Sequence, residues 1–316
     1  MEGKPPRSRA RTLPVTRGWR MVAALVLAVI LLWAVAPAAR GVLLVANFSG
    51  RGAPAALPPD LPARPVTFRA ADAVRLSGWL VARPVEAPAI ILVHGFRGTR
   101  ADMLPWARFL FAAGYTVLLY DSRGCGQSDG WGSALGAREA DDVIGAVRFL
   151  RGRTDLKPRS IGALGISLGA GIVLLAAARE PGLGAVVADS AWTDERPQLA
   201  RMASLPLGPL AVPALPYEPA LVDRLIGARL EDTRPLQVIH TISPRAALLI
   251  HSADDQNATT PLAGAQALFA AAGEPKAAWT APSGGHTGAL RAYPAAYQRL
   301  VLSFFATYLR TSAPAR

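Results

Sequence analysis

A serine flanked by glycines is the clearest candidate nucleophile in the sequence. Gly165-Ile166-Ser167-Leu168-Gly169 fits the pattern G-x-S-x-G and lies between an apolar run typical of a buried strand and one typical of a helix. In that setting the serine occupies a sharp strand-to-helix turn that exposes its hydroxyl, and the two glycines leave room for neighbouring backbone. We therefore predict that Ser167 is a nucleophile.

A phosphate-binding loop is the main alternative for this glycine-rich stretch, and its residues do not fit one. A P-loop requires a lysine directly after its last glycine, and no lysine follows a glycine here. A dinucleotide-binding loop requires G-x-G-x-x-G, and Leu174 stands where the third glycine should be. The phosphate function is excluded on residue types.

A serine hydroxyl becomes a strong nucleophile only beside a base, and the base must be oriented by a further group. The chain has four histidines. His286 lies in the glycine-rich loop PSGGHTGA, between the last predicted strand and the last predicted helix, and is the candidate base. His94 lies in VHGFRG, where a role in a backbone turn is favoured.

The orienting acid is expected at the end of a strand that lies between Ser167 and His286 in the chain. Asp254 and Asp255 follow the apolar run AALLIHS and give the chain order Ser, Asp, His that one class of serine hydrolases uses. Asp189, after the run VVAD, is a more distant alternative. The residues alone leave the choice of acid open.

An acyl-transfer site also needs hydrogen-bond donors for the developing oxyanion. One predicted donor is the backbone N–H of Leu168, directly after the nucleophile. The other is the backbone N–H of Phe96 in His94-Gly95-Phe96, which follows the apolar run IILV. Such donors contribute about 3 kcal/mol each to stabilisation of the transition state.

The elements that must position these residues alternate between strand and helix patterns. Continuous apolar runs predict strands buried on both faces, and the runs between them have helical spacing, so we predict a mostly parallel sheet with helices on both faces. The long, Pro-rich segment 192–245 interrupts this rhythm and is predicted to be a cap insertion near the site. A structural excursion without a gating role is the alternative for that segment.

The N-terminal region carries a basic tail at 1–20 and an uncharged apolar segment at 21–39. The segment is close to the roughly 20 residues that span a bilayer, so we predict a single-pass transmembrane signal anchor. The basic flank places the N-terminus in the cytoplasm and the rest of the chain outside it. Cleavage as a signal peptide, which would make the protein secreted, is the alternative. A linker is predicted at 40–64, a catalytic domain at 65–311 and a C-terminal tail at 312–316.

Composition limits the other classes of function. The formal charge is +12, but the excess is arginine spread singly outside the basic tail, so no nucleic-acid partner is expected. The single cysteine excludes a disulfide framework and a cysteine-based zinc site. No metal or organic cofactor is expected, because no set of ligands for one is evident. The sequence does not determine the oligomeric state.

Five segments of the chain resemble the α/β-hydrolase superfamily: LVHGFRG (92–98), YDSRGCGQSDG (120–130), LGISLGA (164–170), IHSADDQ (250–256) and GGHTGA (284–289). The resemblance covers about residues 65–311 and is strongest within the superfamily to the Bem46/ABHD13-type branch, in which an N-terminal membrane helix precedes the hydrolase domain. It implies an α/β-hydrolase fold, with His94, Gly95, Gly165 and Gly169 supporting the catalytic motifs.

The resemblance also favours one of the two candidate acids. Related proteins often show a strand that ends in H-G-x-x-D, with the catalytic aspartate four residues after the histidine. Counting from His251 gives Asp255, with Asp254 held in reserve. Ser252 replaces the glycine of that pattern, and the proline that usually follows the acid is displaced to Pro261.

These observations predict a membrane-anchored serine hydrolase. Ser167, His286 and Asp255 would cleave a carboxylic ester or thioester through an acyl-enzyme, and the Leu/Pro/Ala-rich cap favours an apolar small-molecule acyl substrate. The alternatives are an acyltransferase or a cofactor-free haloperoxidase on the same fold, or a non-catalytic scaffold tethered to a membrane.

Overall fold

The computed structural model describes residues 17–46, 56–194, 205–207, 210–212 and 218–310. The predicted basic tail, apart from residues 17–20, and the C-terminal tail lie outside the described residues. The described helices are α1 (Arg17–Val45), α2 (Leu104–Ala112), α3 (Glu139–Arg151), α4 (Leu168–Arg179), α5 (Glu218–Ile226), α6 (Pro235–Val238), α7 (Leu262–Ala271), α8 (Ala289–Ala292) and α9 (Pro294–Arg310). The described strands are β1 (Ala63–Arg69), β2 (Arg75–Val81), β3 (Ala89–Val93), β4 (Thr116–Tyr120), β5 (Ile161–Ile166), β6 (Leu183–Asp189), β7 (Leu205–Leu207), β8 (Leu210–Val212), β9 (Ala246–Ser252) and β10 (Lys276–Ala281).

Eight of these strands form one central sheet in the order β1-β2-β4-β3-β5-β6-β9-β10. The first two pairings, β1 with β2 and β2 with β4, are antiparallel. The remaining strands of this sheet, β4, β3, β5, β6, β9 and β10, run parallel to one another. Strands β3, β4, β5 and β9 are buried at every position, which explains their continuous apolar sequences. The predicted mostly parallel sheet is confirmed.

Helices cover both faces of the sheet, and each face has its own hydrophobic core. Helices α3 and α4 pack on one face, where Val147 and Leu174 are buried against the sheet. Helices α2 and α9 pack on the other face, where Leu110 and Phe305 are buried. Because both faces are covered, substrates can reach functional groups only at the ends of the strands.

The N-terminal helix α1 is longer than the apolar segment predicted at 21–39, and it continues into the predicted linker at 40–64. Its end docks on the rest of the chain: Val45 and Ala46 are buried, and Ala46 forms an antiparallel bridge with Gly132. Within the described part of the chain, no helix combines the length and apolar character needed to cross a bilayer, so the predicted transmembrane helix is not supported.

The predicted cap insertion at 192–245 separates β6 from β9. Its described part holds the small antiparallel pair β7–β8, the helices α5 and α6, and short 3-10 helices at Leu230–Asp232 and Ile239–Ile242. The remainder of the insertion, at 195–204, 208–209 and 213–217, lies outside the described residues. Helix α5 packs against the end of α1, where Val222 and Ile226 join Val45 in a small buried cluster.

Candidate active site

The predicted site residues follow the carboxyl ends of neighbouring parallel strands. In the register of the sheet, Val93 of β3 pairs with Gly165 of β5, and Ile166 of β5 pairs with Asp189 of β6. Asp189 in turn pairs with Ile250 of β9. The loops that leave these strands therefore lie side by side at one edge of the sheet, where open α/β sheets bind their ligands.

Ser167 occupies a strained turn between β5 and α4. Its backbone has φ 53° and ψ −119°, a conformation that non-glycine residues adopt only where the surrounding structure enforces it. A Cβ on Gly165 would lie 2.1 Å from the carbonyl oxygen of Gly169, and a Cβ on Gly169 would lie 2.4 Å from that of Val93. Both glycines are therefore required for the turn that displays the serine.

A continuous relay of hydrogen bonds connects the serine to a histidine and an aspartate. Nε2 of His286 lies 2.8 Å from Oγ of Ser167, although the two residues are 119 positions apart in the chain. Nδ1 of the same ring lies 2.9 Å from Oδ2 of Asp255. The Asp255 carboxylate is fully buried, whereas the His286 side chain is 26% exposed, so the relay runs from the interior to the surface.

The Asp255 carboxylate is held by neighbours that the sequence analysis did not single out. The backbone N–H of Asn257 donates to its Oδ1 at 2.8 Å, and the Thr260 hydroxyl lies 3.4 Å from its Oδ2 and 3.1 Å from Nδ1 of His286. The buried Nε2 of His251 lies 3.5 Å from the same Oδ2. Burial lowers the pKa of His251, and the opposing effect of the Asp255 charge is smaller. The lowered pKa favours a neutral ring. Only His251 had a signal in the sequence, its place four residues before the acid.

Asp254 has a different position. It is exposed, and its two carboxylate oxygens accept hydrogen bonds from the backbone N–H groups of Gly285 at 2.9 Å and Gly284 at 3.2 Å. These two hydrogen bonds lower the pKa of Asp254, so it stays ionised. The structure therefore brings Asp255, and not Asp254, to the His286 ring, while Asp254 fastens the loop that carries the ring.

The loop that contains the predicted oxyanion donor Phe96 lies directly against the nucleophile. A Cβ on Gly95 would lie 3.3 Å from Cβ of Ser167. Leu168 is the first residue of α4, and N–H groups in a first helical turn have no acceptor within the helix. The positions of Phe96 and Leu168 suit the predicted oxyanion hole, and their roles stay predictions.

His94 fixes the shape of this loop. Its buried ring accepts a hydrogen bond from the N–H of Ser122 at Nε2 (3.0 Å), so the ring proton resides on Nδ1, which donates to the carbonyl oxygen of Gly95 (2.8 Å). Burial lowers the pKa of His94 and keeps the ring neutral. The preference for a turn role over a base role at His94 agrees with these contacts.

The same loop is tied to the end of α1, which the sequence analysis did not anticipate. The Arg97 guanidinium donates hydrogen bonds to the carbonyl oxygens of Leu43 and Ala46. The N–H of Ser133 donates to the carbonyl oxygen of Val45 at 2.9 Å. Residues 43–46 therefore form part of the wall beside the candidate site rather than a free linker.

Two further features concern ligand binding elsewhere in the described structure. Among the described residues, no group of three or more His, Cys, Asp or Glu side chains is arranged to hold a metal ion. A groove of about 530 Å³ lies at the opposite edge of the sheet, between residues 83–88, Gly114 and Arg159, at the amino ends of β3, β4 and β5. It is remote from Ser167, so we do not connect it with the catalytic chemistry.

Comparisons with known proteins agree with this architecture. The sequence pattern of the X-Pro dipeptidyl-peptidase (S15 family) matches residues 70–214. The esterase Pf2001 of Pyrococcus furiosus superposes with a TM-score of 0.67 at 22% identity, covering 82% of this chain and 97% of that structure. This likeness confirms the predicted α/β-hydrolase fold. The comparisons do not distinguish the Bem46/ABHD13-type branch within it.

Two bacterial relatives, both described as uncharacterized proteins, match most of the chain. YfhR of Salmonella typhimurium is 28% identical over 269 residues, which cover 80% of this chain and 84% of YfhR. YqkD of Bacillus subtilis is 30% identical over 232 residues, which cover 72% of this chain and 74% of YqkD. With its α/β-hydrolase fold and this extended likeness, the chain belongs to the same family as YqkD.

Proposed function

We propose that this protein hydrolyses carboxylic esters or thioesters through an acyl-enzyme formed on Ser167. The protein is a serine hydrolase acting on ester bonds, and the proposal concerns the residues and steps that perform the reaction. The observation that supports it most is the relay from Asp255 through His286 to Ser167, with heavy-atom distances of 2.9 Å and 2.8 Å. These distances lie within the range that proton transfer between side chains requires.

In the first step, Oγ of Ser167 attacks the carbonyl carbon of the ester while Nε2 of His286 takes the serine proton. Asp255 accepts the hydrogen bond from Nδ1–H, which holds the ring in the tautomer whose Nε2 is free to accept that proton. Its buried negative charge also stabilises the imidazolium that forms. The imidazolium then donates the proton to the leaving alcohol or thiol as the carbon–oxygen or carbon–sulfur bond breaks.

The tetrahedral oxygen carries negative charge during both halves of the reaction. The backbone N–H groups of Phe96 and Leu168 would donate to it, and the start of α4 at Leu168 adds the partial positive charge of a helix N-terminus. Water, deprotonated by His286, then attacks the acyl-enzyme and releases the carboxylic acid. This sequence of steps restores Ser167 and His286 to their starting protonation states.

An apolar acyl group is the proposed substrate class. The Phe96 side chain, beside the proposed oxyanion hole, is a large apolar group that is 37% exposed. Leu168, on the other side of the nucleophile, is also only partly buried. Both side chains offer apolar surface to an acyl chain bound at Ser167, and burying such surface supplies about 25 cal/mol per Å².

A fluorophosphonate probe tests the proposed function directly, since it forms a covalent adduct with an activated serine. We expect one adduct on the full chain, located on the peptide that contains Ser167 by tandem mass spectrometry. Ser167→Ala should abolish the adduct. Ser283→Ala, which removes an exposed hydroxyl from the loop that carries His286, should retain it. An adduct on another serine, or none, would contradict the proposal.

We also propose that the exposed part of α1 holds the protein at lipid. Trp19, Leu25, Leu27 and Ile30 are each more than half exposed, and residues 17–31 show no side chain that is buried against the rest of the protein. So much contiguous apolar surface is rare on soluble monomers and marks contact with another protein or with lipid. Arg17 and Arg20 flank this surface and would favour anionic headgroups.

Flotation of the full chain with anionic phospholipid vesicles tests this attachment. We expect wild type to float with the vesicles and Leu25→Glu/Leu27→Glu to remain in the dense fraction, because a charged side chain in apolar lipid costs about 3 kcal/mol. Val85→Glu introduces the same charge at an exposed valine outside α1, and this variant should float like wild type. Flotation of the double variant at the wild-type level would refute lipid attachment through α1.

A further inference from the structure

A second carboxylate, Asp189, lies fully buried at the end of β6, beside the candidate site. Its two oxygens accept hydrogen bonds from neutral hydroxyl groups. The Tyr297 hydroxyl donates to Oδ2 at 2.9 Å, and the Ser190 hydroxyl donates to Oδ1 at 3.0 Å. Buried carboxylates are costly unless neighbouring groups stabilise them, so this arrangement requires an explanation beyond chance packing.

On one side, the hydrogen bonds form a chain with a fixed direction. The indole N–H of Trp106, on α2, donates to the Tyr297 hydroxyl at 2.9 Å. Since that hydroxyl already accepts from the indole, its own hydrogen points at Asp189. Tyr297, on α9, is fully buried, and burial raises its pKa well above the ordinary value, so it stays a neutral donor.

On the other side, the chain reaches the loop of the proposed base. The backbone N–H of Thr287, the residue after His286, donates to the Ser190 hydroxyl oxygen at 3.1 Å. Ser190 and Thr287 have φ values of +59° and +56°, so both backbones lie in the left-handed region, which surrounding contacts must enforce. The carbonyl oxygen of Asp189 itself accepts from the N–H of Ser167 at 2.9 Å.

We propose that Asp189 is a positioning residue for the reaction, and that it acts as an anion. Its side chain, through Ser190, holds the backbone next to His286, and its main chain holds Ser167, so that it sets the geometry between nucleophile and base. This inference rests on the proposed function. Asp189 does not touch the reacting atoms in this assignment, and Asp255 remains the residue that orients the ring.

The arrangement of donors explains why the anion is the working form. Tyr297 and Ser190 both present hydrogens to the carboxylate, and each already accepts a hydrogen bond from another group. A proton placed between Asp189 and either partner would meet the hydrogen that this partner already donates, so one of the two hydroxyls would have to rotate and give up its hydrogen bond to the carboxylate. Protonation should loosen the contact to Ser190 and, through it, the backbone beside His286.

The pKa of Asp189 lies in a pH range in which enzyme activity can be measured. Burial is the main cause that raises the pKa of Asp189 to about 6, and the negative charge on Asp255 raises it further. The hydrogen bonds from Tyr297 and Ser190 and the positive charge on His286 lower this pKa, but by less. A raised pKa in the folded state means that the fold binds this proton more tightly than the unfolded chain does. Protonation of Asp189 thus favours folding, and a loss of activity caused by it is separable from acid unfolding.

The test is a set of pH profiles of kcat and KM for hydrolysis of p-nitrophenyl butyrate by the full chain. On the acid side, we expect the wild-type kcat/KM to fall more steeply than that of Asp189→Asn, because only the wild type can take up the additional proton on Asp189. At neutral pH, kcat of this variant should drop about tenfold with little change in KM, since misplacing a catalytic group by 1 Å costs up to about a hundredfold in rate.

Two other variants and one control complete the test. Ser190→Ala should show the same drop in kcat. Tyr297→Phe removes a hydrogen bond that lowers the pKa of Asp189, so its acid limb should move to higher pH. Tyr293→Phe removes the hydroxyl of a nearby tyrosine that contacts Ser283, outside the chain of contacts to Asp189, and should match wild type.

The outcomes separate this inference from the proposed function. A folded Asp189→Asn with the wild-type kcat and an acid limb as steep as that of wild type would overturn the positioning role alone. If Asp189→Asn does not fold, Ser190→Ala decides: an unchanged kcat overturns the role, and a tenfold drop supports it. A wild-type protein with neither turnover nor a phosphonate adduct on Ser167 would refute the proposed function, and this inference with it.

Discussion

Ser167→Ala and His286→Ala are each expected to lower kcat for ester hydrolysis by about a millionfold, and the double variant should be no worse than either single one. The two side chains share one proton transfer across the 2.8 Å between Nε2 and Oγ, so removal of either abolishes the same step. Steady-state rates on a short-chain p-nitrophenyl ester, corrected for spontaneous hydrolysis, measure the effect.

Matched variants control for loss of structure. His240, on the 3-10 helix at Ile239–Ile242, is exposed, and His240→Ala should keep the wild-type rate. Ser283→Ala provides the same control for the serine. If Ser167→Ala retained more than about a hundredth of the wild-type kcat, the nucleophile would be another residue. Loss of one member of a catalytic group that acts as a unit removes far more of the activity than that.

Asp255→Asn is expected to lower kcat by about ten-thousandfold, while Asp254→Asn stays within about threefold of wild type. An asparagine at 255 can turn its amide N–H₂ toward Nδ1 of His286. The ring would then carry its proton on Nε2, where it could not accept the serine proton. The same substitution removes the buried charge that stabilises the imidazolium.

The difference between the two variants follows from their hydrogen bonds. The Asp254 side chain accepts hydrogen bonds from the backbone N–H groups of Gly284 and Gly285, and an asparagine oxygen can still accept one of them. Rates for both variants on the same ester, with melting curves to verify folding, decide the assignment. A large loss in Asp254→Asn together with a near-normal Asp255→Asn would reverse it.

Much of the fold was predictable because local sequence reports it. Apolar runs such as AIILV and TVLLY correspond to strands β3 and β4, which are buried throughout, and the intervening helices carry apolar spacing. The turn at Ser167 was predictable for a similar reason. Its glycines are required by backbone atoms a few residues away or on the adjacent strand, so the requirement leaves a short motif in the sequence.

The local sequence did not show which of the two adjacent aspartates contacts His286. Asp254 and Asp255 share one loop and one residue type, and the local sequence without the family pattern does not separate them. Their side chains point in different directions after β9: the exposed Asp254 reaches two backbone N–H groups of the His286 loop, and Asp255 turns inward to the ring. That difference depends on how two distant loops meet.

The N-terminal region shows how a local pattern can mislead. The run 40–64 is rich in proline, glycine and alanine, which predicts a linker, yet α1 continues to Val45 and docks beside the loop of Phe96. Helix length there depends on contacts with α5, Arg97 and residues 132–133, which local composition does not encode. The apolar character of residues 21–31 was evident from the sequence, and the contact that would cover them was not.

By itself, the sequence determined the alternation of strands and helices, the turn that displays Ser167, and the chain order of serine, acid and histidine. These features arise from periodicity and from the steric needs of a few consecutive residues. Only the tertiary structure decided which aspartate meets His286, that Asp189 is connected to the same loop, and that the end of α1 adjoins the site. Such contacts join segments up to 97 residues apart, and their geometry is set by the packing of the whole sheet and its helices.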